Sequence, residues 1–151
     1  MSKVCIDACL AVKWLVPEED SSVALDLLTN WVTTGTQLIA PPLLLFEVFS
    51  TIRRLQFKGT LSTDKTRQIL LQFKKIKIEL PSPPNLFDEA LKLAARYNRP
   101  TVYDTSYLAL ARLVDCEFWT ADQRLLNSLG RKPSRVHHLG EVGETKSGTG
   151  R

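Results

Sequence analysis

Short apolar runs along the chain alternate with longer segments in which apolar residues recur at helical spacing. Short runs of this kind are typical of buried strands, whereas the longer period is typical of amphipathic helices. Their alternation favours a parallel sheet with helices between successive strands. The predicted strands are Lys3–Ile6, Gln37–Ala40, Lys77–Leu80, Glu117–Thr120 and Arg135–Leu139.

The segments between the strands carry helix start and stop signals. Pro17, Gly35 and Gly59 stand where three of the helical patterns end, and proline and glycine are common at such ends. Ser62 is a favoured N-cap residue. The predicted helices are Ala8–Leu15, Ser21–Thr33, Pro42–Lys58, Ser62–Ile76, Leu86–Tyr97, Asp104–Val114 and Asp122–Leu129. We therefore predict an α/β fold, a three-layer α/β/α sandwich around a central, mostly parallel sheet of about five strands.

Length and composition place the chain in one domain. It has 151 residues, of which 44% are hydrophobic, enough for one core. We assign residues 1–140 to the domain and predict a disordered tail over residues 141–151, which are polar and rich in glycine. No apolar run approaches the ~20 residues of a membrane helix, so no membrane association and a cytoplasmic location are expected. Cys5, Cys9 and Cys116 are predicted to be buried thiols.

The charge balance changes this picture only slightly. Lys and Arg number 20 against 16 Asp and Glu, a net charge of +4. A basic surplus favours a polyanionic partner without requiring one.

Four acidic residues stand among apolar residues or directly after strands: Asp7, Glu47, Asp104 and Asp122. Asp7, Asp104 and Asp122 lie where helices are predicted to begin, so each has a simple alternative role as an N-cap. Glu47 is different because it lies well inside its helix, in the apolar stretch "PPLLLFEVFS", of which Leu43–Phe46, Val48 and Phe49 read as core. At 100° per residue Leu44, Val48, Ile52 and Leu55 form the buried stripe of this helix, and Glu47 lies at its edge. Its alternative role is therefore a boundary residue that pairs with Arg54 or faces solvent.

In a parallel sheet the four acids are expected to lie at the same edge. Loops that follow parallel strands emerge at one edge of the sheet, where ligands bind in such folds. Two carboxylates ~4 Å apart repel by about 4 kcal/mol at an effective dielectric of 20, so such a cluster requires a cation or raised pKa values. Oxygen ligands without His or Cys favour Mg²⁺ or Mn²⁺. An ion of this kind supports the cleavage of a phosphodiester by water.

Around these acids the sequence resembles the PIN domain family, and within it the VapC type of toxin ribonuclease. Four motifs appear in family order from Val4 to Leu129: "IDACLAVKWLVPEE", "APPLLLFEVFSTIRR", "VYDTSYLALA" and "FWTADQRLL". The resemblance implies the strand order 3-2-1-4-5, a metal-dependent endoribonuclease, a cognate antitoxin and a homodimer. It matches Asp7, Glu47, Asp104 and Asp122 to the metal-binding carboxylates and Thr120 to a supporting hydroxyl. Cys5 and Cys9 replace residues that are more often small or apolar in the family.

The resemblance also suggests roles in RNA cleavage. We expect Asp7, Asp104 and Asp122 to hold Mg²⁺ or Mn²⁺, and Glu47 to hold the ion or orient the attacking water. Attack by water predicts products with a 5′-phosphate and a 3′-hydroxyl. Phosphate contacts dominate nucleic-acid affinity; the candidates for them are Lys13, Arg53, Arg54 and Arg124.

Two other readings of the same residues stay open. An aspartate-nucleophile phosphatase also uses an Asp after its first strand and Mg²⁺, but it usually has a second Asp two residues later, where this chain has Cys9. The other reading is a non-catalytic PIN-like module that binds RNA or protein. Nucleotide-binding folds are disfavoured because the chain has neither a P-loop nor a GxGxxG motif.

Overall fold

A computed structural model describes residues 2–142. Its centre is a sheet of five strands in the order β3-β2-β1-β4-β5, in which every pairing is parallel. The predicted fold class and strand order are therefore confirmed. The strands are β1 (Lys3–Ile6), β2 (Gln37–Ile39), β3 (Ile78–Glu79), β4 (Glu117–Thr120) and β5 (Val136–His138).

Seven helices connect the strands, close to the predicted positions. They are α1 (Ala8–Leu15), α2 (Ser21–Thr34), α3 (Leu43–Phe57), α4 (Thr63–Lys75), α5 (Leu86–Arg96), α6 (Tyr103–Val114) and α7 (Gln123–Ser128). Ser62 caps α4 through its hydroxyl, as predicted. Asp104 is not a cap, because α6 begins one residue earlier and Asp104 lies within its first turn.

Residues that alternate along β4 show that helices cover both faces of the sheet. The ring of Phe118 stacks on Tyr107 of α6 at 6.1 Å between centroids. The next residue, Trp119, points to the opposite face and packs edge-on against Trp31 of α2 at 5.9 Å. Because both faces are covered, the strand residues are apolar without alternation, as Val4, Cys5 and Ile6 show.

Two expectations about buried residues were wrong. In α3, Leu44, Val48 and Ile52 form the buried stripe, whereas Leu45, Phe46 and Phe49 are exposed. Their apolar run is longer than one face of a helix, so part of it must leave the core. Cys9 is likewise exposed, because it lies in the first turn of α1 and faces a cleft.

The described C-terminal residues contact the domain. Glu141, the first residue of the predicted tail, forms ion-pair contacts with Lys132 and His137. Residues 143–151 of that predicted tail lie outside the described residues. Between residues 2 and 142, no helix has both the length and the apolar composition needed to cross a membrane.

Candidate active site

Asp7 follows β1 directly and is buried at the carboxyl end of the sheet, with 5% of its surface exposed. Its Oδ1 accepts a hydrogen bond of 2.9 Å from the backbone N–H of Leu10, which makes Asp7 the N-cap of α1. Its Oδ2 accepts a second hydrogen bond from the Thr120 hydroxyl. Asp7 is therefore an N-cap, which is the simpler role considered from the sequence. Its second oxygen, however, accepts a hydrogen bond from Thr120, 113 positions away.

Thr120 links the ends of two neighbouring strands. It is the last residue of β4, which pairs directly with β1, and it is fully buried. Its hydroxyl donates to Asp7, and its oxygen accepts the backbone N–H of Asp122 at 2.8 Å. Asp122 in turn caps α7 by accepting the N–H groups of Arg124 and Leu125 at 3.0 and 3.4 Å. The fold therefore fixes Asp7 and Asp122 through one shared hydroxyl.

Glu47 reaches the same edge from α3. Its Oε1 accepts a hydrogen bond from the hydroxyl of Tyr107, a buried residue of α6. The partner considered from the sequence, Arg54, donates its hydrogen bond to the Thr51 hydroxyl at 3.0 Å, while its charge opposes the rise in the pKa of Glu47. Glu47 is consequently tied to the helix that carries Asp104.

Asp104 lies in the first turn of α6, and its side chain is partly exposed. Its Oδ2 lies 3.4 Å from a guanidinium nitrogen of Arg99, in the loop between α5 and α6. Each of the four carboxylates therefore has a donor from the protein. Asp7 and Asp122 accept backbone N–H groups from the first turns of α1 and α7, and Asp7 also accepts the Thr120 hydroxyl. Glu47 and Asp104 are partnered by the side chains of Tyr107 and Arg99.

The four carboxylates are close enough to affect one another electrostatically. Burial raises the pKa of Asp7 to about 7, the hydrogen bonds from Thr120 and Leu10 oppose this rise, and the charges of Asp122 and Glu47 add to it. Burial also raises the pKa of Glu47, with further contributions from Asp104 and Asp122. Asp7, Glu47, Asp104 and Asp122 thus form one coupled group of negative charge.

The four carboxylates are the kind of ligand that a hard divalent cation prefers. All four groups supply carboxylate oxygens. A cation would offset the neighbouring negative charges, which add to the effect of burial in raising the pKa of Asp7 and of Glu47. As the side chains stand, no three Asp, Glu, His or Cys residues between positions 2 and 142 are arranged to hold a metal ion together. One oxygen each of Asp7, Glu47 and Asp104 faces Thr120, Tyr107 and Arg99, so a bound ion would compete with these donors.

A cleft of about 480 Å³ opens beside Glu47. Residues of α1, α3 and the start of α6 line it, among them Cys9, Glu47, Arg54 and Tyr103. Partial burial, with the charges of Asp7 and Asp122, raises the pKa of the Cys9 thiol to about 12, which keeps it protonated. The cleft therefore joins one candidate phosphate ligand, Arg54, to the carboxylate group.

The other basic candidates lie elsewhere. The ammonium of Lys13 is held by Glu18 and Asp20 at 2.7 and 2.8 Å and is only 12% exposed, so it stabilises the turn between α1 and α2. The guanidinium of Arg53 lies over the ring of Phe57. Arg124 is exposed on α7, where its backbone amide binds Asp122.

Tyr107 and Arg99 are the site residues that sequence reasoning missed. Tyr107 lies three residues after Asp104, on an apolar helix, and reads as core. Arg99 reads as an ordinary loop residue. No local pattern pairs Tyr107 with Glu47, since the two are 60 positions apart.

Comparisons with known proteins identify the family and agree with the fold. The PIN domain family model matches residues 4–131. The VapC ribonuclease Mb0985 of Mycobacterium bovis and ribonuclease VapC9 of Mycobacterium tuberculosis are each 30% identical to the chain over 111 residues, which is 70% of this chain and 85% of theirs. The crystal structure of PAE2754 from Pyrobaculum aerophilum shares the fold, with a TM-score of 0.62 at 16% identity over 97% of this chain and 98% of that one.

The family match spans all four acidic motifs, and the VapC similarity extends over most of the chain. The chain belongs to the PIN domain family and is of the VapC type.

Proposed function

We propose that this protein is a metal-dependent endoribonuclease, the toxin of a toxin–antitoxin pair. The observation that carries the proposal is the group of four carboxylates at the carboxyl edge of a PIN-type sheet, whose charges act on one another. Thr120 joins Asp7 to Asp122, and Glu47 lines the cleft. Structural caps alone do not account for Glu47, which lies inside a helix and is half-buried. Two similar proteins carry the name ribonuclease, and this supports the same class of reaction here.

In this proposal Asp7, Asp104 and Asp122 hold Mg²⁺ or Mn²⁺. When bound, such an ion supplies an acidified water and neutralises charge on the phosphate. Glu47 either adds a ligand or orients the attacking water, and Tyr107 keeps the Glu47 carboxylate in one position. Arg54 is placed in the cleft to bind a phosphate of the RNA. Attack by water leaves a 5′-phosphate and a 3′-hydroxyl.

The remaining parts of the proposal rest on family likeness. We propose a cognate antitoxin protein that inhibits the enzyme, a homodimer and a cytoplasmic location. Arg53, Arg124 and Lys13 remain candidates for RNA contacts, with Lys13 the weakest because two carboxylates already hold its ammonium.

The residue two positions after Asp7 argues against an aspartate-nucleophile phosphatase. In such an enzyme the nucleophile would be Asp7, and a second Asp two residues later would act as the general acid. The position of the usual second Asp is Cys9, whose thiol has a raised pKa and is a poor acid at neutral pH. Trapping of a covalent acyl phosphate on Asp7 would instead support the phosphatase function.

The experiment is cleavage of end-labelled RNA with Mg²⁺ or Mn²⁺, compared with EDTA. Wild type is expected to cut only with the metal and to leave 5′-phosphates. Asp104→Asn is expected to lose activity by a factor of about 10² or more, since carboxylates that act as a unit fail together. Asp64→Asn is the matched control, because Asp64 is an exposed acid on α4 away from the site.

Two results would contradict the proposal. Undiminished cleavage in EDTA, or cyclic phosphate ends, would exclude this mechanism. RNA binding without any cleavage, in wild type and Asp104→Asn alike, would favour the non-catalytic PIN-like module.

A further inference from the structure

His137, in the edge strand β5, has a carboxylate next to each of its two ring nitrogens. Its Nδ1 lies 3.1 Å from Oε2 of Glu141, and its Nε2 lies 3.3 Å from Oε1 of Glu117 in β4. Only a ring that carries a proton on both nitrogens can donate to both carboxylates, because the second nitrogen of a neutral imidazole is an acceptor. The arrangement therefore fits the charged form of His137.

The other neighbours of the ring also fit a positive charge. The ring stacks on Trp119 with 4.9 Å between centroids, and a cation over the face of an indole is stabilised. The indole N–H of Trp119 donates to Glu117 at 3.2 Å, and the ammonium of Lys132 contacts Glu141. The charged groups that face the ring are thus Glu117 from β4 and Glu141 from the segment after β5, and Lys132 from the loop before β5 lies behind Glu141.

Glu141 closes the outer edge of β5, the last strand of the sheet. Successive N–H groups of a strand point to opposite sides, and Leu139 donates to Thr120 of β4 at 2.9 Å. The N–H of His138 therefore points away from β4, and it donates to Oε1 of Glu141 at 3.3 Å. The Glu141 carboxylate consequently holds the turn at residues 139–142 against the edge of the strand.

We infer that His137 is a charge-dependent clamp at the end of β5. The charged ring bridges Glu117 and Glu141 and holds residues 139–142 against the strand, whereas a neutral ring has one N–H and releases one of the two carboxylates. The charge of a histidine ordinarily changes between about pH 5 and 8. The turn is therefore held most tightly at acidic pH and loosens as the pH rises. This inference is independent of the proposed ribonuclease function.

The clamp lies close to the carboxylate group. The turn that it holds is bonded to the carbonyl oxygen of Thr120 through Leu139, and the hydroxyl of the same Thr120 joins Asp7 to Asp122. Asp7 has a pKa of about 7 and so titrates in the same range of pH as a histidine. A test of the clamp must therefore separate His137 from Asp7.

The test follows the ring and the turn separately in the whole protein, labelled with ¹⁵N. The NMR shifts of the His137 ring nitrogens between pH 5 and 8.5 report the charge of the ring. Hydrogen exchange of the His138 amide, corrected for the intrinsic effect of pH, reports closure of the edge. We expect the protection of this amide to fall about 5-fold as the ring loses its charge, because a hydrogen bond to a charged group is lost at a partly exposed position.

Three variants assign the response to one residue. His137→Phe keeps a ring against Trp119 but has no donor, so it is expected to show low protection at every pH. His138→Gln removes the other of the two histidines in the chain and retains an oxygen that can accept the N–H of Gly140, as the His138 ring does. Asp7→Asn removes the other group that titrates in this range. Both of these last variants are expected to keep the pH dependence of the amide at position 138.

The inference would be overturned if the ring of His137 stayed neutral at pH 5, or if the amide kept its protection while the ring titrated. Wild-type pH dependence in His137→Phe would also overturn it. Loss of the dependence in Asp7→Asn would assign the response to Asp7 instead. The titration of the wild-type ring requires no variant, so the inference can be tested even if His137→Phe does not fold.

Discussion

The two halves of the carboxylate group are built in different ways. Asp7 and Asp122 follow neighbouring parallel strands, each caps a helix, and Thr120 joins them. Glu47 and Asp104 project from helices, and each depends on one side chain from another position, Tyr107 or Arg99. We call Asp7 and Asp122 the strand-borne half and Glu47 and Asp104 the helix-borne half. The strand-borne half is positioned mainly by the backbone, and the helix-borne half is positioned by side chains.

Because of this difference, substitutions in the two halves should have different effects on stability. The strand-borne half cannot move without disturbing α1, α7 or the β1–β4 pair. Substitution of Tyr107 or Arg99, in contrast, releases a carboxylate while the surrounding elements remain. We expect changes in the first half to alter stability and activity together, and changes in the second half to alter activity or metal affinity alone.

Asp7→Asn is expected to have the largest effect. It should abolish cleavage and, at pH 8 in EDTA, stabilise the protein by up to about 4 kcal/mol. The pKa of Asp7 is about 7 in the folded state and near its ordinary 3.8 when unfolded. Between these values the folded protein retains a proton that the unfolded chain loses, so wild-type stability falls as the pH rises from about 4 to 7. Urea unfolding in EDTA across this range measures the effect.

The control for Asp7→Asn lies in the same titration. Near pH 4 the wild-type carboxyl is protonated in both states, so the variant and wild type should have similar stability there. The variant should also show a flatter dependence of stability on pH. Equal destabilisation of Asp7→Asn at pH 4 and pH 8 would show that burial of this carboxylate costs little.

Tyr107→Phe tests the helix-borne half. It removes the hydroxyl that donates to Glu47 but keeps the buried ring stacked on Phe118. We expect cleavage to fall about 10-fold, because a hydrogen bond to a charged group contributes about 1.5–3 kcal/mol, while the thermal midpoint changes little. Cleavage rates and thermal unfolding of the purified variant measure the two quantities.

A double-mutant cycle shows whether Tyr107 acts through Glu47. In a Glu47→Gln background, Tyr107→Phe should have little further effect on cleavage, since the carboxylate that it positions is gone. Additive losses in the cycle would mean that Tyr107 affects activity by another route.

Much of the strand-borne half was predictable from the sequence, and little of the helix-borne half. An Asp that follows a buried strand and precedes a helical pattern lies at the carboxyl edge of the sheet. The strand order, in which β1 and β4 are neighbours, then brings Asp7 and Asp122 together. The partner of Glu47 was not predictable, because a pair 60 positions apart depends on how α3 and α6 pack. Arg54 was the plausible local partner, yet its guanidinium donates to Thr51.

The apolar stretch of α3 shows a second limit of sequence reasoning. A spacing of 100° per residue predicted the buried stripe of Leu44, Val48 and Ile52, but the neighbouring apolar residues Leu45, Phe46 and Phe49 also read as core and are exposed. Lys13 is a similar case. A cation within an acidic motif was predicted to bind phosphate, but in the structure its ammonium forms ion pairs with Glu18 and Asp20. In both cases tertiary contacts decide the role of the residue.

Arg99→Gln should have the smallest effect. The Arg99 guanidinium lies 3.4 Å from Asp104, and both side chains are partly exposed, so the pair contributes about 1 kcal/mol or less to stability. A divalent cation must compete with this guanidinium for the Asp104 carboxylate. Removing the positive charge is therefore expected to tighten Mn²⁺ binding by about 2- to 5-fold, measured by isothermal titration calorimetry.

Arg96→Gln is the matched control, because it removes the same charge from an exposed position on α5 outside the site. If the effect is specific to the contact with Asp104, only Arg99→Gln changes the Mn²⁺ affinity. Weaker Mn²⁺ binding by Arg99→Gln would mean that Arg99 holds Asp104 in the position that a metal needs. The helix-borne half would then be preorganised by its side-chain partners, as the strand-borne half is by its backbone.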